Sequence, residues 1–186
     1  FVASGAGAHT GVDAGSHHGF ITGFLHPITG LDHLAAMLGV GLWSALSARA
    51  VNRSLLWAPF GFASMLLVGA LLGWNGSAMP AVESMIAASV LLVGLLACLR
   101  LALPGLFAAA LVGFFAMFHG VAHGIELGSS AGGGTGALIG MVVATVVLHS
   151  AGLGLGLALR ERQAWLPRLV GGGVAVFGVA LLGGWA

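Results

Sequence analysis

The residues with chemistry to offer are histidines embedded in apolar stretches. His26, Asp32, His33, His119, His123 and His149 all lie among Leu, Ala, Val, Gly and Phe. An ionisable side chain at membrane depth is costly without a partner, so several together mark a site that something polar occupies. His119 and His123 are four residues apart and Glu126 follows three later. On a helix these share one stripe, and two imidazoles at that spacing can close on a single ion. Glu126 reads as a ligand, as a partner that fixes a histidine tautomer, or as a carboxylate drawing cations in from the membrane surface. Upstream, the run His26-Pro27-Ile28-Thr29-Gly30-Leu31-Asp32-His33 would, in an unbroken helix, hold its two histidines about 10 Å apart along the axis. Pro27 removes an amide donor and Gly30 loosens the backbone, which predicts a kink or break. Transporters use broken helices at membrane depth to set ligands around an ion. His149 lies near the middle of its own apolar stretch, at a depth similar to that of Asp32 and His33, with Thr145 one turn earlier.

The competing reading is a proline-kinked helix whose histidines merely donate hydrogen bonds to neighbours. It leaves Asp32 as an unexplained buried charge. Imidazole-rich sites with one or two carboxylates suit Ni, Co, Zn or Cu(II), whereas Mg and Ca prefer oxygen shells and monovalent copper prefers sulfur. The sequence reading therefore assigns His26, Asp32, His33, His119, His123 and His149 to metal binding, with His33, Asp32, His119 and His123 as primary ligands where spans one and four meet. Glu126, Glu83, His9, His17 and His18 are assigned to cation intake or to support of the ligands. Methionines at similar depth, Met37 and Met117, read as packing.

The elements that must position these residues are legible from composition. Of 186 residues, 59% are apolar and 6% charged, and 33 are Gly. Soluble domains carry about a quarter charged residues, so the chain is read as an all-α, polytopic transmembrane bundle. Apolar stretches predict six spans near 19–46, 54–74, 81–99, 103–127, 135–159 and 169–186, the first kinked or broken at the His-Pro motif. Arg49, Arg53, Arg100, Arg160, Arg162 and Arg168 all fall after odd-numbered spans. The positive-inside rule makes that side cytoplasmic, which sets both termini in the periplasm. Residues 1–18 read as a signal-peptide remnant and periplasmic segment, with Ala6-Gly7-Ala8 shaped like a cleavage site ahead of His9; residues 19–186 read as a single transmembrane transporter domain. Small residues four apart, among them Gly120 and Gly124, predict close helix contacts, plausibly bringing span one against span four. The single cysteine, Cys98, reads as a small apolar filler.

These motifs resemble the HupE/UreJ family of bacterial nickel and cobalt permeases, and the likeness covers nearly the whole chain. The first-span signature His-Pro-x-x-Gly-x-Asp-His is present as His26, Pro27, Gly30, Asp32 and His33. The fourth-span signature is present as Phe118, His119, Gly120, Ala122, His123, Gly124 and Glu126, and the fifth-span histidine corresponds to His149. The start His9-Thr10-Gly11 is similar to that of mature members. The resemblance implies uptake of Ni²⁺, sometimes Co²⁺, across the bacterial inner membrane by a permease that is not an enzyme and carries no resident cofactor. Implied partners are a divalent transition-metal ion and the lipid bilayer, with no nucleic acid and no nucleotide-binding domain in this chain; homo-oligomerisation stays open. The alternatives are a membrane haem-binding electron-transfer subunit and a non-transporting metal-binding membrane subunit.

Overall fold

In the computed structural model, which describes residues 19–48, 50–129, 134–163 and 165–186, the chain is a bundle of helices. They are α1 (Gly19–Thr29), α2 (Leu31–Ser47), α3 (Trp57–Trp74), α4 (Val82–Leu99), α5 (Gly105–Ser129), α6 (Thr135–Arg160) and α7 (Trp165–Leu182), with a short 3-10 turn, Arg53–Leu56, leading into α3. Among the described residues, five helical segments are long and apolar enough to cross a membrane, those ending in α3 through α7. The first expected span is instead two helices of 11 and 17 residues, and neither alone has the roughly 20 residues a crossing needs. The last helix also begins earlier than expected, at Trp165, so Arg168 lies inside it. Pro167 is compatible with that early start because the first helical turn does not need its amide.

The bundle carries apolar side chains outward and polar ones inward. Phe60, Leu106 and Val176 are each at least 70% exposed, while His119 and Thr145 are wholly buried. An aqueous protein would reverse this arrangement; a lipid-facing one requires it.

Packing is organised in close pairs: α3 with α5, α4 with α7, and α6 with both α1 and α2. Glycine permits each approach. A Cβ at Gly120 or Gly124 would overlap the α3 carbonyl oxygens of Leu66 or Ala70, and one at Gly69 would overlap Met117 of α5. With lipid outside, such backbone-to-backbone contact replaces the hydrophobic effect as the source of helix association. This corrects one expectation: Gly120 and Gly124 admit α3, not span one. Residues adjacent in sequence point about 100° apart around a helix. The glycine face of α5 therefore lies beside its histidine stripe, and α3 occupies it. Cys98 is half-buried on α4, where α7 approaches at Gly171, in keeping with a packing role.

Arginines gather at one end of the bundle. Arg160 donates from Nη2 to the Ala48 carbonyl at 3.1 Å. Arg100 reaches the Leu46 carbonyl from Nε at 3.4 Å. Both guanidinium groups thus sit on the C-terminal carbonyls of α2, where cations are favoured. Arg49 lies outside the described residues.

Candidate metal centre

The break in the first apolar stretch falls at Gly30. The helix continues through Pro27 to Thr29, and Gly30 then adopts an extended conformation, φ −80° and ψ 111°, before α2 starts. The Gly30 amide still bonds the His26 carbonyl at 3.1 Å, and the Gly30 carbonyl accepts from Leu34 at 2.8 Å. The backbone is thus redirected without abandoning its hydrogen bonds, as membrane depth demands. The His26 and His33 rings come to 6.0 Å between centroids, edge to face, far closer than an unbroken helix would allow. A Cβ on Gly30 would lie 3.2 Å from both Asp32 Oδ1 and His33 Nδ1. Glycine therefore also makes room for that pair.

Asp32 serves His33 directly. Its Oδ1 accepts from the His33 ring at Nδ1, 2.7 Å away, and from the His33 backbone amide at 2.8 Å. This fixes His33 with its proton on Nδ1 and its lone pair on Nε2. A carboxylate behind a histidine in this way orients the ring and raises its strength as a ligand. Asp32 was expected among the primary ligands; the geometry occupies Oδ1 with orienting His33 instead.

The α5 stripe faces α1 and α2 across a gap that the imidazoles fill. His123 lies 4.7 Å from His26 and 4.4 Å from His33 between ring centroids. His119 lies 4.9 Å from His33. Glu126 Oε2 is 3.3 Å from His26 Nε2. One donor atom each from His26, His123 and Glu126 fits within a 4.8 Å span, the tightest metal-competent group among the described residues. Glu126, for which a ligand role was one of three expectations, thus stands with the ligand candidates.

His149 stands apart from these rings. Its Nδ1–H donates to the Thr145 carbonyl at 2.7 Å. Its nearest ring contact is Phe62 of α3, at 5.1 Å; the same Phe62 ring lies 5.6 Å from His119. A buried phenyl group therefore links His149 to the cluster. Phe62 carried no signal in the sequence because a phenylalanine in an apolar helix is usually packing. Ser89 of α4 was equally silent; it lies 2.8 Å from His119 Nε2.

Among the described residues, four buried ring nitrogens have no hydrogen-bond partner: His33 Nε2, His119 Nδ1, His123 Nε2 and His149 Nε2. A buried polar atom left unpaired costs about 1–3 kcal/mol, and imidazole nitrogens such as those of His33, His119 and His123 suit a transition-metal ion. The donor set fits a nitrogen-preferring divalent cation.

Asp32 and Glu83 line a cavity of about 180 Å³ with Ser84 and Ile86, at the end of the bundle opposite the arginines. Glu83 thereby lies beside the cluster, where a recruiting carboxylate is useful. His9, His17 and His18 lie outside the described residues.

An outward-apolar helical bundle with buried imidazoles bordered by more exposed carboxylates defines a multi-pass membrane protein with a cluster consistent with metal coordination. The chain matches the family described as HupE / UreJ protein over residues 1–181. It is also 42% identical over 183 residues to Protein HupE of Rhizobium leguminosarum bv. viciae, covering 96% of this chain and 91% of that protein. The chain belongs to the HupE/UreJ family, whose members are membrane transporters rather than enzymes. No solved structure matches it.

Proposed function

We propose that this protein takes up Ni²⁺, with Co²⁺ as a second cargo, across the inner membrane through the histidine cluster. The observation that carries the reading is the His26, His123 and Glu126 group adjoining unpartnered nitrogens of His33 and His119. Imidazole nitrogen with a carboxylate selects late first-row divalent metals over Mg²⁺ and Ca²⁺. In this reading α1 and α2 act together as one broken span, which makes six crossings and leaves both termini periplasmic. The arginine end is then cytoplasmic by the positive-inside rule. Asp32, Glu83 and Glu126 form the periplasmic mouth, the clustered imidazoles bind the ion, and His149 receives it beyond Phe62. The ligands are His26, His33, His119, His123 and Glu126, with Asp32 holding His33. Residues 19–186 form the transporter domain, preceded by a periplasmic segment.

A haem-binding role fits poorly: rings 4.4–4.9 Å apart leave no plane between them for a porphyrin. The test is calorimetric Ni²⁺ titration of purified protein alongside Ni-edge anomalous diffraction. The expected result is a saturable site with density among His26, His123 and Glu126. Density elsewhere, or a Soret band with no Ni²⁺ binding, would overturn the reading.

A further inference from the structure

Ser89 lies outside the metal-binding motifs, yet its side chain is bonded to a cluster imidazole. It is 2% exposed and projects from α4, a helix that carries none of the histidines. Its Oγ makes two short contacts: 2.6 Å to the Ile86 carbonyl oxygen and 2.8 Å to His119 Nε2. A serine hydroxyl has a single proton, and a carbonyl oxygen only accepts. At 2.6 Å two oxygens without a proton between them would repel, so the hydroxyl donates to Ile86. The remaining contact is then complete only if His119 supplies its own proton, from Nε2–H to Ser89 Oγ.

We infer that Ser89 is a positioning residue that fixes His119 as the Nε2–H tautomer and so makes Nδ1 the nitrogen this histidine offers to the metal. His119 Nδ1 is indeed the buried ring atom without a partner, whereas in His33, His123 and His149 it is Nε2. His119 thus ligates with the opposite nitrogen from the other three. The difference has a geometric use. Nδ1 lies closer to the helix backbone than Nε2, so His119 holds a shorter reach than His123 one turn away, and the two can address an ion that is not equidistant from α5. The partner that fixes a ligand's tautomer typically governs metal affinity by about 10- to 100-fold.

This inference rests on the metal-site reading above, but its first readout does not. In the full chain in lipid nanodiscs, labelled with nitrogen-15 histidine, proton–nitrogen correlation spectra distinguish the two tautomers, and His119→Gln identifies the His119 signals. Metal-free protein is expected to show His119 protonated at Nε2. Ser89→Ala, which removes the acceptor with minimal change of volume, is expected to lose that signature and to weaken Ni²⁺ binding in calorimetry about 10- to 100-fold. Ser89→Thr keeps the hydroxyl and is expected to retain the signature and most of the affinity. His119 protonated at Nδ1 in the unsubstituted protein would overturn the inference. So would an unchanged tautomer in Ser89→Ala, even with weakened binding, because Ser89 would then act only through packing. The Nε2–H tautomer without any Ni²⁺ binding would overturn the ligating role of Nδ1 together with the metal-site reading, while a failed tautomer assignment with intact binding would overturn the inference alone.

Discussion

At the residue scale, His33, His119 and His149 each have one ring nitrogen bonded within the protein and one without a partner, and that division sets what a substitution does. Asp32 bonds His33 twice through one oxygen. Asp32→Asn keeps an acceptor of similar size but removes the negative charge that favours both the proton on Nδ1 and a nearby divalent cation. Ni²⁺ affinity is expected to fall about 10- to 100-fold in calorimetry, with membrane insertion unchanged. Glu126→Gln is expected to have a comparable effect on binding through loss of a carboxylate beside His26, whereas His17→Ala and His18→Ala are expected to reduce uptake only partly, at low external metal. Acid should weaken binding in the unsubstituted protein, because a protonated imidazole has no lone pair to give. Affinity measured from neutral pH downward should decline as the rings take up protons; a profile that stays flat until the protein unfolds would assign the ion to carboxylates. The candidate residue types were legible in the sequence because histidine and carboxylate are conspicuous among apolar neighbours. Ser89 was not legible: what distinguishes it is a contact with a residue 30 positions away, and one serine in an apolar helix carries no signature of that.

At the element scale, the break between α1 and α2 is what converts a seven-residue spacing into ring contact. The sequence located the break within the His-Pro motif, but Pro27 stays helical and Gly30 carries the turn. Proline removes one amide donor from α1 without ending it, while glycine provides both conformational freedom and space. Gly30→Ala is compatible with the observed φ of −80°, yet its methyl group would press on Asp32 Oδ1 and His33 Nδ1 at 3.2 Å. The expected outcome is a folded protein of near-normal thermal stability with severalfold weaker Ni²⁺ binding. Gly124→Leu should behave oppositely. It forces α3 from α5, so its first symptom should be a lowered melting temperature in detergent. Glycine spacing revealed that α5 has a close partner but not which one. The choice depends on a rotation of about 100° between neighbouring residues and on which helix the rest of the bundle delivers to that face.

At the scale of the whole molecule, charge is sorted along the bundle. Arg100 and Arg160 hold the carbonyl end of α2, while Asp32 and Glu83 line the cavity at the other end. The membrane class, the helix order and this sorting were legible because length, hydropathy and arginine placement are local properties of a sequence. The pairing of α3 with α5 and of α4 with α7 was not, since small residues are spread through every span. Cysteine labelling from outside the cell is expected to reach a probe at Ser84, beside Glu83, and not one at Glu161, beside the arginines. Passage of Ni²⁺ through the imidazole cluster, as proposed, makes transport depend on His123. The measurement that addresses it most directly is initial-rate uptake of radioactive Ni²⁺ into liposomes holding equal amounts of the unsubstituted protein or its His123→Ala variant. The account requires saturable uptake by the first and uptake no faster than empty liposomes by the second, whereas equal rates from the two proteins would contradict it.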